Sequence, residues 1–216
     1  MPFITLEGGE GAGKSTQIKL LAQAFEQAGH KTLVTREPGG SKGAEAIRKL
    51  VVEGAADRWD PVTESLLFMT ARYDHLETLI KPALGRGEWV VCDRFFDSTY
   101  IYQGIAKGVD THWLKQLYTL LYGNAAPELT LLLDIDPKDG LKRASARNSG
   151  AETRFENMDF SFHQKLRDGF LRLAKEEPAR IHVVDAAVSI EAIHQSILSA
   201  VNKRFQLGLK PVKQAA

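Results

Sequence analysis

Three observations predict a three-layer α/β/α fold with a five-stranded parallel sheet. Short apolar and β-branched runs alternate with longer stretches whose apolar residues recur every three or four positions, the rhythm of strand, crossover helix and strand. Several short runs are apolar at consecutive positions, as strands buried on both faces are. The first run ends at Gly8-Gly9 and a helical stretch follows at once, so the chain opens as a strand–loop–helix unit. At 216 residues the chain suits one large domain. That domain is expected over residues 1–205, with a frayed tail at 206–216 that contains Gly208 and Pro211 and lacks periodicity.

Residues 3–7 (FITLE) are the first strand. The helix from Lys14 carries Ile18, Leu21, Ala22 and Phe25 inward and closes near Gly29. A strand at 31–35 and a helix at 41–53 follow, then a long helix at 61–84. In that helix Val62, Leu66, Met69, Tyr73, Leu76, Ile80 and Ala83 step by four and three, which predicts a single core-facing stripe. The remaining strands are expected at 88–92, 129–135 and 180–184. A last helix is expected at 189–205, with Ile190, Ile193, Ile197 and Val201 inward.

Hydrophobic residues make up 44% and charged residues 25%, enough for a full core and against a disordered chain. With 28 Lys+Arg against 27 Asp+Glu the net charge is +1, so no global field favours nucleic acid or an anionic membrane, and an anionic ligand must be held locally. A single cysteine, Cys92, cannot form an intramolecular disulfide, which fits a reducing compartment, the cytosol. No apolar run approaches the roughly 20 residues of a membrane span, and residues 1–4 lack the start of a signal segment.

Gly8-Gly9-Glu10-Gly11-Ala12-Gly13-Lys14-Ser15 matches G-x-x-x-x-G-K-[ST], the phosphate loop of nucleotide-binding enzymes, and lies between strand and helix as that loop requires. Glycines there let backbone N–H groups turn inward, and the helix amino terminus adds positive partial charge. Lys14 would neutralise the β- and γ-phosphates and the Ser15 hydroxyl would join a Mg²⁺ shell. The loop alone does not name a reaction, since switches, motors and kinases share it.

Asp93-Arg94 follows the third strand, at the carboxyl edge where open α/β sheets bind ligands. Asp93 suits a Mg²⁺-bound water and Arg94 a phosphate; the alternative is that they pair with each other or cap a helix. Phe68, Arg72 and His75 form a stripe about 100° from the core stripe of the long helix. Phe68 and Arg72 either stack on and hydrogen-bond a nucleobase, or are a second-face core residue and a surface cation. His75 has no assigned role. Arg143, Arg147 and Arg154 flank the polar stretch 148–153, which suits either a lid over residues 143–156 or a solvated basic face.

These motifs together resemble the bacterial thymidylate kinases, over roughly residues 3–205. The resemblance is carried in order by GGEGAGKST, TREPGG at 35–40, FMTARYDHLETLIKPAL at 68–84, DRFFDSTYIYQG at 93–104 and RASARNSGAETRFE at 143–156. It implies phosphoryl transfer from Mg·ATP to dTMP in dTTP synthesis, by a homodimer packed through helices that include 61–84. It further implies that the loop from Gly8 to Ser15, with Thr16, binds ATP and that Ser15 and Asp93 serve the metal. Glu37 and Arg94 join the dTMP site, Phe68 stacks on thymine and Arg72 hydrogen-bonds the base. Ser98, Thr99, Tyr102 and Gln103 line the nucleoside site, and Glu10 and Glu156 lie near the sugar hydroxyl and metal. Some members carry an arginine inside the phosphate loop and others supply it from the lid; with Gly11 at the loop position, this chain resembles the lid type, with Arg147 and Arg154 as the arginines. Phe95 stands where many members place tyrosine or histidine. Other nucleoside monophosphate or deoxynucleoside kinases, and a P-loop switch ATPase, are the alternative readings.

Overall fold

The computed structural model describes residues 2–123, 125–146 and 154–212. Five strands, β1 (Phe3–Glu7), β2 (Thr32–Arg36), β3 (Trp89–Asp93), β4 (Leu129–Asp134) and β5 (Ile181–Asp185), form one parallel sheet in the order β2-β3-β1-β4-β5. This is the expected α/β architecture. Because β1 lies between β3 and β4, the chain places β2 and β3 on one side of it and then crosses over to place β4 and β5 on the other, which opens a crevice at the carboxyl ends of these strands. The register pairs Leu6 with Asp93 and Glu7 with Leu132, so the loops after β1, β3 and β4 emerge side by side.

The period of two assigns each strand residue a face. Ile4, Leu6, Leu129, Leu131 and Leu133 pack against α1 (Lys14–Gln27) and α9 (Ile190–Phe205), meeting Ile18, Leu21, Phe25, Ile193, Ile197 and Val201. On the opposite face, Phe3, Val90 and Cys92 meet Leu76, Ile80, Ala83 and Phe95. There also Leu132 and Ile181 meet Phe162, Leu166 and Phe170 of α8 (Phe160–Glu176). This second face also carries buried polar residues. The Thr5 and Thr130 hydroxyls lie 2.8 Å apart, and Arg180 grips Asp97 at 2.7 and 2.9 Å.

The long helix corrects the expected stripe. It begins as α3 (Pro61–His75), passes through a π-wound stretch (Leu76–Ile80) and ends as α4 (Lys81–Gly85). π winding adds a residue to the turn and rotates the inward face, so upstream and downstream apolar residues do not share one stripe. Met69, Leu76, Ile80 and Ala83 are buried, whereas Val62, Leu66 and Tyr73 are each about 45% exposed. Upstream, the inward face carries Glu64, Ser65, Arg72 and His75 instead. Ile190, expected inward, is also exposed, because it is the first residue of α9 beyond its Ser189 cap.

Capping explains where six of the helices start. Side-chain oxygens of Ser41, Asp60, Asp110, Asp136, Asp159 and Ser189 accept the first backbone N–H groups of α2 (Lys42–Val52), α3, α6 (Thr111–Tyr122), α7 (Pro137–Ser145), α8 and α9. The short α5 (Phe96–Thr99) continues directly into a second π-wound stretch, Tyr100–Ala106. The expected frayed tail is corrected through Val212. Leu209 is buried in the α1–α9 core, and the Asn202 side chain donates to the Leu209 carbonyl and accepts its N–H. No helix among the described residues is long and apolar enough to cross a membrane.

Candidate active site

The loop from Gly8 to Ser15 connects β1 to α1, and α1 alone among the longer helices has no side-chain cap, its N-cap being Gly13 in the left-handed region. Its first N–H groups are therefore left for a ligand. Gly11 sits at φ +70°, and a Cβ there would fall on the Gly140 carbonyl of α7. No side chain fits, so an arginine at this position is sterically excluded. The Lys14 ammonium is nearly buried and donates to the Gly8 and Gly9 carbonyls at 3.1 and 3.0 Å. Burial first, and the Arg94 charge second, hold its pKa below the usual lysine range.

Asp93 and Arg94 end β3 beside this loop. The Ser15 hydroxyl donates to Asp93 Oδ2 at 3.3 Å, while Asp93 Oδ1 is buried with no hydrogen-bond partner among the described residues. A hydroxyl next to a carboxylate oxygen with spare acceptor capacity is a donor set that fits Mg²⁺, which takes one or two protein oxygens and completes its shell with phosphate and water. Arg94 has φ 65°, a conformation non-glycine residues rarely adopt. Its guanidinium donates to the Gly8 carbonyl (3.0 Å), Ser98 Oγ (3.1 Å) and Glu10 Oε1 (2.9 Å). Asp93 and Arg94 thus do not simply pair with each other.

Glu10 also accepts from the Tyr102 hydroxyl at 2.8 Å. Burial opposes its ionisation, but Arg94, Lys14 and that hydrogen bond prevail and bring its pKa to about 2. Glu7, fully buried beneath the site, behaves oppositely. Burial and then the nearby Asp97 push its pKa up to about 7. Its oxygens accept from the N–H groups of Phe95 (2.8 Å) and Ser98 (3.3 Å) and from Ser98 Oγ (2.6 Å), and so shape the turn that carries Arg94.

Behind Arg94 lies a cleft of about 140 Å³ lined by Phe68, Arg72, Phe95, Ser98, Thr99, Tyr102, Gln103 and Phe155. Arg72 is buried rather than a surface cation. Its Nε donates to Glu37 Oε2 (2.6 Å), and its terminal nitrogens donate to Thr99 Oγ1 (3.1 Å) and the Phe95 carbonyl (3.0 Å). His75, unassigned from sequence, places its ring nitrogens 3.0 Å from Glu37 Oε1 and 2.7 Å from Thr35 Oγ1, so it fixes the carboxylate that fixes Arg72. Phe95 packs edge-on against Phe3 with centroids 5.0 Å apart, under the Arg72 guanidinium. Gln103 is turned toward Glu64, donating at 2.8 Å. A more open cavity of about 310 Å³ lies over Gly11–Ser15 and Asp93. Thr16 borders neither cavity.

Glu10, Glu37, Arg48, Arg94 and Glu156 line both cavities. Arg48 escaped the sequence reading, because a lone arginine on an amphipathic helix carries no signal. Phe155 escaped it too, although it lies inside the RFE end of the last motif. The lid expectation is partly redrawn. Arg147 lies outside the described residues, Arg143 donates to the Ala186 carbonyl at 2.9 Å, and Arg154 is turned away from both cavities and buried. Its donors are taken by backbone carbonyls at the end of α2 and beyond it, and by Glu64.

Two clefts that share a wall of arginines and glutamates, one over a phosphate loop and one with aromatic sides, let two phosphorylated ligands meet end to end. This is the plan of a P-loop nucleotide kinase. The thymidylate kinase family model matches residues 6–197. The chain is 51% identical over 205 residues to the thymidylate kinase of Caulobacter vibrioides, covering 95% of this chain and 98% of that one. It is 49% identical to that of Magnetococcus marinus, over 94% and 96% of the two chains. The crystal structure of thymidylate kinase from Ehrlichia chaffeensis superposes with a TM-score of 0.75 at 33% identity, covering 93% of this chain and 98% of that one. The chain belongs to the thymidylate kinase family.

Proposed function

We propose that the enzyme transfers the γ-phosphoryl group of Mg·ATP to the phosphate of dTMP, giving dTDP and ADP. The observation that carries this reading is Arg94, held in a rare backbone conformation where the two cavities meet, with its fork aimed at carboxylate and carbonyl oxygens that an incoming phosphate can replace. ATP occupies the loop from Gly8 to Thr16, and Lys14 exchanges the Gly8 and Gly9 carbonyls for β- and γ-phosphate oxygens. Mg²⁺, held through Ser15 and Asp93, supplies positive charge to the phosphate oxygens.

The nucleoside lies between Phe68 and the Phe95–Gln103 segment, with Arg72 at the base and Glu10 and Glu156 near the sugar and acceptor phosphate. Glu37 and His75 keep Arg72 charged and aimed. The acceptor oxygen is already anionic at neutral pH, so no general base is needed and the residues act by positioning and charge compensation. With position 11 closed to a side chain, the cation for the transferred phosphoryl comes from Arg147 rather than from the loop. The exposed Val62, Leu66 and Tyr73 form the seam of a cytoplasmic homodimer.

The test is a coupled ADP-release assay with Mg·ATP against dTMP, dUMP, UMP, CMP, thymidine and no acceptor, with Arg72→Ala alongside. The expected result is a dTMP preference that Arg72→Ala erodes. ADP release at the same rate without an acceptor would point instead to a switch ATPase.

A further inference from the structure

Arg154 is a buried arginine with four hydrogen-bond and ion-pair partners among the described residues, none of them in either cavity. Its Nε and terminal nitrogens donate at 2.9 Å to the carbonyls of Ala55, Val51 and Ala56, at the end of α2 and in the connection to α3. One terminal nitrogen also lies 2.5 Å from Glu64 Oε2. Glu64, itself fully buried, holds Gln103 at 2.8 Å and Lys107 at 2.8 and 2.9 Å. The Arg154–Glu64 pair thereby joins three segments to α3: the one that begins at residue 154, the α2–α3 connection held by Arg154, and the π-wound stretch with Lys107 just beyond it held by Glu64.

The neighbouring residue gives this node a consequence. The Phe155 ring lies 6.2 Å from Phe68 and 5.5 Å from Tyr102, and it is approached by the Arg154 guanidinium (5.2 Å) and the Lys107 ammonium (5.3 Å). Phe155 and Glu156 line the aromatic cleft together with Phe68. Four polar contacts on residue 154 leave its backbone little freedom, so the next side chain is delivered to one place.

We propose that Arg154 is a positioning residue for the nucleoside cleft, not an arginine that touches the transferred phosphoryl group, and that it acts by fixing Phe155 in the cleft wall beside Phe68. The proposal rests on the dTMP-site reading above. It divides the arginines of the last motif by role: Arg154 shapes the acceptor site, and stabilisation of the moving charge falls to another cation.

The experiment is steady-state kinetics of the full-length enzyme as Arg154→Met, Arg154→Lys, Phe155→Ala and the Arg154→Met/Phe155→Ala double variant. dTMP and ATP are varied separately, and a thermal melt is run on each. In Arg154→Met, Glu64 keeps Lys107 and Gln103, so the buried carboxylate retains partners and the fold survives; Arg154→Lys and Phe155→Ala carry the test if it does not. The expected result is a dTMP KM raised about tenfold in Arg154→Met and Phe155→Ala, with kcat within about threefold and the ATP KM unchanged. The double variant is expected to be no worse than the poorer single one, since both remove the same wall. Arg154→Lys, which can satisfy Glu64 but not three carbonyls at once, falls between. A kcat loss of about a thousandfold with an unaltered dTMP KM is the signature of an arginine on the phosphoryl group and would overturn the proposal. Multiplying effects in the double variant, or unaltered kinetics in both single ones, would also overturn it. Absence of dTMP-dependent ADP release by the unaltered enzyme would remove the underlying reading, and the proposal with it.

Discussion

Gly140 of α7 and the phosphate loop touch backbone to backbone, and an added methyl group tests how closely that contact sets the rate. A Cβ on Gly140 would fall on the Glu10 carbonyl, just as one on Gly11 would fall on the Gly140 carbonyl. Neither group is a flexible side-chain end, so Gly140→Ala must displace the loop by on the order of 1 Å, a misplacement that costs about a hundredfold in kcat where reacting groups are held in line. Stability responds less, because two terms oppose each other. Alanine in a helix interior is favoured over glycine by about 1 kcal/mol, and overpacking costs about 1–3 kcal/mol. The net destabilisation is about 0–2 kcal/mol, a fall in Tm of roughly 0–8 °C for a chain of this size. The assay is the dTMP-dependent release of ADP beside a thermal melt, with Gly85→Ala as control, since nothing lies within 4 Å of a Cβ there. Full kcat in Gly140→Ala would refute the claim that the loop position is set by this contact.

Glu7 should make stability fall as pH rises. Its folded pKa is raised from 4.5 to about 7, so the folded chain retains a proton that the unfolded chain releases. The associated stability is fully present below pH 4.5 and is lost as pH rises through about 7, a change on the order of a few kcal/mol. Urea unfolding of the unaltered chain and of Glu7→Gln, which keeps acceptor and donor for Phe95 and Ser98, should give curves that converge or cross over this window; parallel curves would remove the effect. For the proposed dimer seam, Leu66→Glu should shift the sedimenting mass from dimer to monomer without loss of helix content, and a monomeric unaltered chain would dismiss the seam.

Much of this molecule was legible in its local sequence. The central strands β1, β3 and β4 are buried on both faces and need apolar residues at nearly every position, so they showed themselves within a residue of where they lie, and the partly exposed edge strands β2 and β5 did so by their short β-branched runs. The phosphate loop and the Asp93-Arg94 pair were legible because their chemistry depends on backbone freedom and fixed order along a few consecutive residues. The inward face of α3 was not. Period counting assumes one winding, and a single π-wound stretch turned Val62, Leu66 and Tyr73 outward while it brought Arg72 and His75 in.

The sequence by itself determined that a glycine loop at the head of the first strand would face an aspartate and an arginine at the head of the third, since parallel crossovers bring those ends together. Only the tertiary structure decided what each buried charge does. Arg72, Arg94 and Arg154 look alike as letters in three motifs, but their partners come from distant segments: Glu37 and Phe95 for the first, Glu10 and Gly8 for the second, Glu64 and the carbonyls at 51, 55 and 56 for the third. A long, forked cation takes its role from whichever acceptors the folded chain brings within reach, and no spacing along the chain encodes that choice.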